Sequence, residues 1–143
     1  MIVHRSTMTD SVLAKDDSNL ILTVLQRTAD NKYLRIGVDT PEELAAGFPK
    51  TREELFAYRG LILGSVEASA FSGEQLQMIA DFVDRRGGGL LMLGGARSFG
   101  EGGFGATPVA DALPLAIDPR TPSSEPNTFL RLKISPTRAG QEN

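Results

Sequence analysis

The stretch "LILGSVEASAFSGEQLQMIADFVDRRGGGLLML", Leu61–Leu93, decides the fold. Its two ends, Leu61–Gly64 and Leu90–Leu93, are short unbroken apolar runs, the pattern of strands covered on both faces. Between them Ser72 stands as an N-cap with Gln75 three residues on, and Phe71 and Leu76 occupy the positions of a hydrophobic staple. Leu76, Ile79, Ala80 and Val83 then recur at helical spacing, which predicts an amphipathic helix over Gly73–Arg86. Arg85 and Arg86 suit the negative end of its dipole, and Gly87 offers a left-handed C-cap. Strand, helix and strand together are the size of a right-handed βαβ crossover, so the chain is expected to build an open α/β sheet.

Outward from this unit the signals shorten. "LILTVLQ", Leu20–Gln26, predicts a third buried strand. Residues 2–14 read as a helix anchored by Ile2, Val3, Val12 and Leu13. Thr40-Pro41-Glu42-Glu43 and Thr51-Arg52-Glu53-Glu54 are two capping boxes. Both helices must be short, because Gly47–Pro49 parts them and Gly60 follows. Thr107-Pro108 opens a further short helix that stops at Leu113-Pro114. Asp118–Pro126 is an irregular connection, and Thr128–Ile134 alternates apolar and charged residues as a half-exposed edge strand does. Residues 1–143 form one domain, with 1–19 and 135–143 expected to be its least ordered parts.

The composition narrows the chemistry. With 143 residues there is room for one core. Cysteine is absent, which removes disulfides, thiolate metal sites and cysteine nucleophiles. A single histidine, His4, leaves little for a catalytic triad or a histidine-based metal site. The net charge of −3 argues against nucleic-acid binding by bulk electrostatics. No apolar run reaches the roughly 18 residues of a membrane span, and the N-terminal residues lack the apolar core of a signal peptide. Neither a cofactor, a metal, a nucleic acid nor direct membrane contact is expected.

The remaining question lies in "GGGLLMLGGARSFGEGGFG", Gly87–Gly105, where a strand runs into a glycine-crowded loop. An anion could sit on the unshielded N–H groups of Gly100, Gly102, Gly103 and Gly105 with Arg97 as counter-charge. However, no Walker lysine follows, and G-x-G-G-x-G does not open directly into a helix. Ser98 could be a nucleophile, but G-x-S-x-G is missing and its base would have to be His4, Glu101 or Asp111. A metal site from Glu67, Asp81, Glu101 and Asp111 lacks ligand spacing. The plainest account is conformational: glycine permits a tight turn, with Phe99 and Phe104 tucked onto the core.

Phe48–Leu115 nevertheless resembles the glutamine amidotransferase-like domains of the class I superfamily. Its marks are "YRGLILG", the G-G-G-L-L-M-L-G-G strand, "SFGEGG" and "TPVADALP", with weaker likeness in Leu25–Leu34. The branch it is most similar to is an uncharacterised bacterial one, found in large, often membrane-anchored proteins beside von Willebrand factor A domains. The resemblance implies a flavodoxin-like three-layer α/β/α sandwich with a mostly parallel sheet. It also implies a nucleophilic cysteine on the turn after the strand Leu90–Leu93, where this chain has Ala96, and a downstream His-x-Glu that has no counterpart here. Glutamine hydrolysis needs a thiolate and its base, and the sequence contains neither.

The resemblance further implies that the chain is a fragment of a longer protein lacking its first strand. The exposed sheet edge could then pair with a second copy, and other domains of the parent protein would be partners. The expected function is a non-catalytic binding or interaction module of a larger bacterial protein. Its surface would be Gly64, Ser65 and Glu67 after one strand, with Gly94, Gly95, Arg97 and Ser98 after the next. The alternative is a hydrolase using Ser98.

Overall fold

The structure, a computed structural model, describes residues 2–5, 21–29, 32–95 and 97–117. Among the described residues five strands form one sheet: β1 (Ile2–Arg5), β2 (Ile21–Ala29), β3 (Lys32–Ile36), β4 (Gly60–Gly64) and β5 (Gly89–Leu93). Their spatial order is β3-β2-β1-β4-β5. Among the described residues the α-helices are α1 (Arg52–Phe56), α2 (Gly73–Asp84) and α3 (Pro108–Asp111).

The predicted crossover is present. β4 and β5 pair in parallel, Leu61 with Leu90 through Gly64 with Leu93, and α2 connects them. Ser72 and Gln75 make the reciprocal capping box, and Gly87 takes a left-handed φ of 71° after the last turn. Leu76, Met78, Ile79 and Phe82 are buried beneath α2, against Leu61, Leu63 and Met92 of the sheet. Fully burying one such side chain contributes about 1.5–3 kcal/mol, so this seam dominates the core. The buried stripe is rotated from the expected one: Phe82 lies in the core, whereas Ala80 and Val83 are half-buried.

The expectation of a mostly parallel sheet is corrected. Among the described residues β4–β5 is the parallel pair, while β1–β2, β1–β4 and β2–β3 are antiparallel. Residues 2–5, expected in a helix, form β1 at the centre of the sheet between β2 and β4. Backbone pairing on both sides outweighs the weak helical pattern of a segment with few apolar anchors. The rest of the expected helix, residues 6–14, lies outside the described residues, as do Asp118–Pro126, Thr128–Ile134 and 135–143.

Three further expectations change. β5 is half-buried rather than covered on both faces, with Leu91 and Leu93 exposed at 52% and 44%. β2 runs on past its buried start and pairs antiparallel with β3, which the sequence did not announce. Residues 41–46 form turns instead of a helix. There Glu43 bonds the N–H of Asp39, one residue before the intended cap, and Leu44 takes a φ of 53° that stops helical propagation. The second capping box, at Thr51 and Glu54, forms as expected and starts α1.

Candidate functional site

Since β1 is antiparallel to both neighbours, β2, β4 and β5 all run in one direction. Their carboxyl ends therefore meet at one edge, the place where open α/β sheets hold ligands. A cavity of about 280 Å³ opens there. Its floor and walls include Leu25, Phe48, Val66 and Phe71, and its rim carries Arg27, Tyr33, Ser65, Glu67 and Arg97.

Local chemistry explains how each part is placed. The chain leaves β4 at Ser65 with a φ of 49°, a left-handed conformation that costs a non-glycine residue roughly 1–2 kcal/mol. This turn leads Val66 and Glu67 along the cavity. The Ala68 N–H then donates to the Gly102 carbonyl at 2.7 Å, which ties the segment after β4 to the loop after β5. Gly102 itself must be glycine, since a β-carbon there would meet the Arg97 carbonyl oxygen at 2.3 Å. Phe104, fully buried, and half-buried Phe99 fasten the same loop to the core, as the conformational reading of its glycines expected. On the opposite wall Gln75 donates to the carbonyls of Phe48 and Pro49. It thereby holds Phe48 in an edge-to-face contact with Phe71, ring centroids 4.9 Å apart.

The charged rim is a carboxylate flanked by two guanidinium groups. Arg27 reaches Glu67 at 3.4 Å, and Arg97 approaches it at 3.9 Å. Glu67 is 28% exposed and Arg97 68%, so solvent screens both contacts and each adds little to stability. Arg97, the more exposed of the two guanidinium groups, stands at the mouth of the cavity.

Of the residues expected at the site, Gly64, Ser65, Glu67 and Arg97 line this cavity together. Gly95 stands behind it: a β-carbon there would lie 3.3 Å from the Ser65 hydroxyl. Gly94 faces the Phe99 ring. Ser98 lies beneath the loop, 1% exposed, and its side-chain hydroxyl has no hydrogen-bond partner among the described residues. Ala96 lies outside the described residues. His4 pairs along the backbone with Gly60, at the amino end of β4, about 13 Å of strand away from Gly64. Among the described residues no group of three or more metal-ligating side chains occurs.

The sequence reading missed Arg27, Tyr33 and Phe48 as cavity residues. Arg27 and Tyr33 depend on the β2–β3 hairpin, where they pair directly. Arg85 and Arg86, at the carboxyl end of α2, make local contacts away from the cavity. Arg85 pairs with Asp81, and Arg86 donates to the carbonyls of Phe56 and Tyr58 beyond α1.

Fold and site together define a mixed α/β domain with a small charged-rimmed cleft at its strand ends. The chain matches no family model, no curated protein and no solved structure. No helix among the described residues is long and apolar enough to cross a membrane.

Proposed function

We propose that this chain is a non-catalytic, glutamine amidotransferase-like binding module of a larger bacterial protein, with the cleft at the carboxyl ends of β2, β4 and β5 as its working surface. The observation that carries this reading is the convergence of Glu67 and Arg97, from two separate loops, on one cavity at the end of a parallel strand pair. The left-handed Ser65 and Phe99 (φ 53°) supply further support, because backbone strain of this kind gathers at ligand sites. The β4–α2–β5 crossover is the part common to this chain and the flavodoxin-like sandwich. A second helical layer over the outer face of the sheet completes that architecture in this reading. Pairing with a second copy belongs to the same proposal, through β3 or β5, the edges of the described sheet.

A metabolite screen read by thermal shift tests the module, since a ligand that binds only the folded state must stabilise it. At least one small anion is expected to raise the melting temperature, and Arg97→Ala to remove the shift. Labelling by a serine-reactive fluorophosphonate is expected to be blank. Labelling that disappears in Ser98→Ala would replace the binding reading with a hydrolase. Sedimentation as a strict monomer at high concentration would remove the dimer.

A further inference from the structure

The charge and shape of the cleft specify more than a generic anion. We propose that it takes a monocarboxylate with an apolar body, a short aliphatic or aromatic acid, rather than a phosphate or a dicarboxylate. The proposal rests on the reading of the cleft as a binding site and adds the ligand class.

Three observations lead there. First, the walls that a ligand body would touch are apolar: Leu25, Phe48, Val66 and Phe71. A strongly hydrated ligand such as phosphate would lose its water against them without replacement hydrogen bonds. Second, the cavity of about 280 Å³ accommodates a ring or a short chain, and not a nucleotide. Third, the Arg97 guanidinium is 68% exposed and lies 3.9 Å from Glu67, so it can receive one ligand carboxylate beside the Glu67 carboxylate. A dianion would bring its second charge against the Glu67 carboxylate, and like charges at such range repel.

The two arginines divide the work. Arg27 makes the shorter contact with Glu67 and stands on a strand, so it orients the carboxylate. Arg97 stands on the loop after β5 and holds Glu67 at 3.9 Å, beyond hydrogen-bond range. Its fork can turn to a ligand carboxylate, which accepts two parallel N–H bonds, without breaking a hydrogen bond to Glu67.

Phenylacetate is the probe, compared with phenylacetamide, succinate and inorganic phosphate by calorimetric titration at low salt. Phenylacetate is expected to bind at least tenfold more tightly than the other three. Arg97→Ala should weaken it about tenfold, and Arg97→Lys, a point charge without the fork, should recover only part of that loss. Glu67→Gln raises the rim charge and should improve succinate binding several-fold relative to phenylacetate. Succinate or phosphate binding more tightly than phenylacetate to the unaltered protein would overturn the ligand class and leave the binding module standing. Silence from all four probes while another metabolite gives an Arg97-dependent thermal shift would do the same. Silence throughout that broader screen would overturn both.

Discussion

Among the described residues the same device occurs twice, a carboxylate between two arginines, in two settings. At the seam of α1 and α2, Asp81 contacts Arg52 and Arg85 and also accepts from Gln77. Its side chain is only 5% exposed. At the cleft, Glu67 sits between Arg27 and Arg97 with 28% of its side chain exposed and looser contacts. Burial separates their roles. A carboxylate withdrawn from water must keep its partners, and those of Asp81 join two helices. A half-exposed carboxylate can exchange partners at little cost, which is what a ligand requires. The first cluster is a clamp and the second is a rim.

The largest test breaks the rim without touching its charges. Gly102→Ala places a methyl group against the Arg97 carbonyl, where neither backbone can yield without moving the loop. A loss of about 3 kcal/mol is expected, at the upper end for overpacking, together with loss of phenylacetate binding. Urea denaturation supplies the first number and titration of the surviving folded fraction the second. Full stability with full binding would show that the loop after β5 has room that the geometry denies.

Asp81→Ala attacks the clamp. Both arginine partners are more than half exposed and can return to water, so the cost falls below that of breaking a fully buried pair. About 2 kcal/mol is expected, read as a lower urea midpoint at an unchanged slope. Phenylacetate affinity should stay within twofold. A change below about 0.5 kcal/mol would place Asp81 with ordinary surface pairs and erase the contrast with Glu67.

Glu67→Gln should move stability by less than about 0.5 kcal/mol, the range of exposed ion pairs. Its effect should instead fall on ligand preference. A loss comparable to that of Asp81→Ala would make the cleft cluster a second clamp.

The unequal legibility of these regions has physical causes. Ser72, Gln75 and Gly87 act on neighbours within a turn, so the limits of α2 could be read locally, and the β4–α2–β5 crossover with them. By contrast, β1 is stable through its pairing to Val24 and Thr23 on one side and Ile62 and Leu61 on the other. Nothing within "IVHR" announces partners so distant in the chain. The site divides along the same line. Gly64, Ser65, Glu67 and Arg97 follow two strands that were recognised. Arg27 comes from a strand two places away in the sheet, so only the spatial order β2-β1-β4 brings it to Glu67. Asp81, considered only as a metal ligand, gave no sign of its burial because it stands one residue before the apolar Phe82.

The smallest effect is expected at Ser98, and it bears on whether the cleft is a vestige of chemistry or a site in its own right. A hydroxyl that is 1% exposed and without a hydrogen-bond partner among the described residues carries a desolvation cost. A nucleophile would justify such a cost, but only with a base in reach and an open path for substrate. The Ser98 side chain lies away from such a path: it is 1% exposed, and the lining of the cleft cavity does not include it. Ser98→Ala removes the hydroxyl and leaves the loop bonds intact, because these run through backbone atoms, Ser98 N–H to Gly95 and Gly102 N–H to the Ser98 carbonyl. Stability should therefore change by no more than about 0.5 kcal/mol, with either sign, and phenylacetate binding should be unaltered. A loss above about 1.5 kcal/mol would reveal a hydrogen bond made by that hydroxyl. It would also bring rim and clamp closer in kind, since the loop that presents Arg97 would then depend on a buried polar contact as α1 and α2 depend on Asp81.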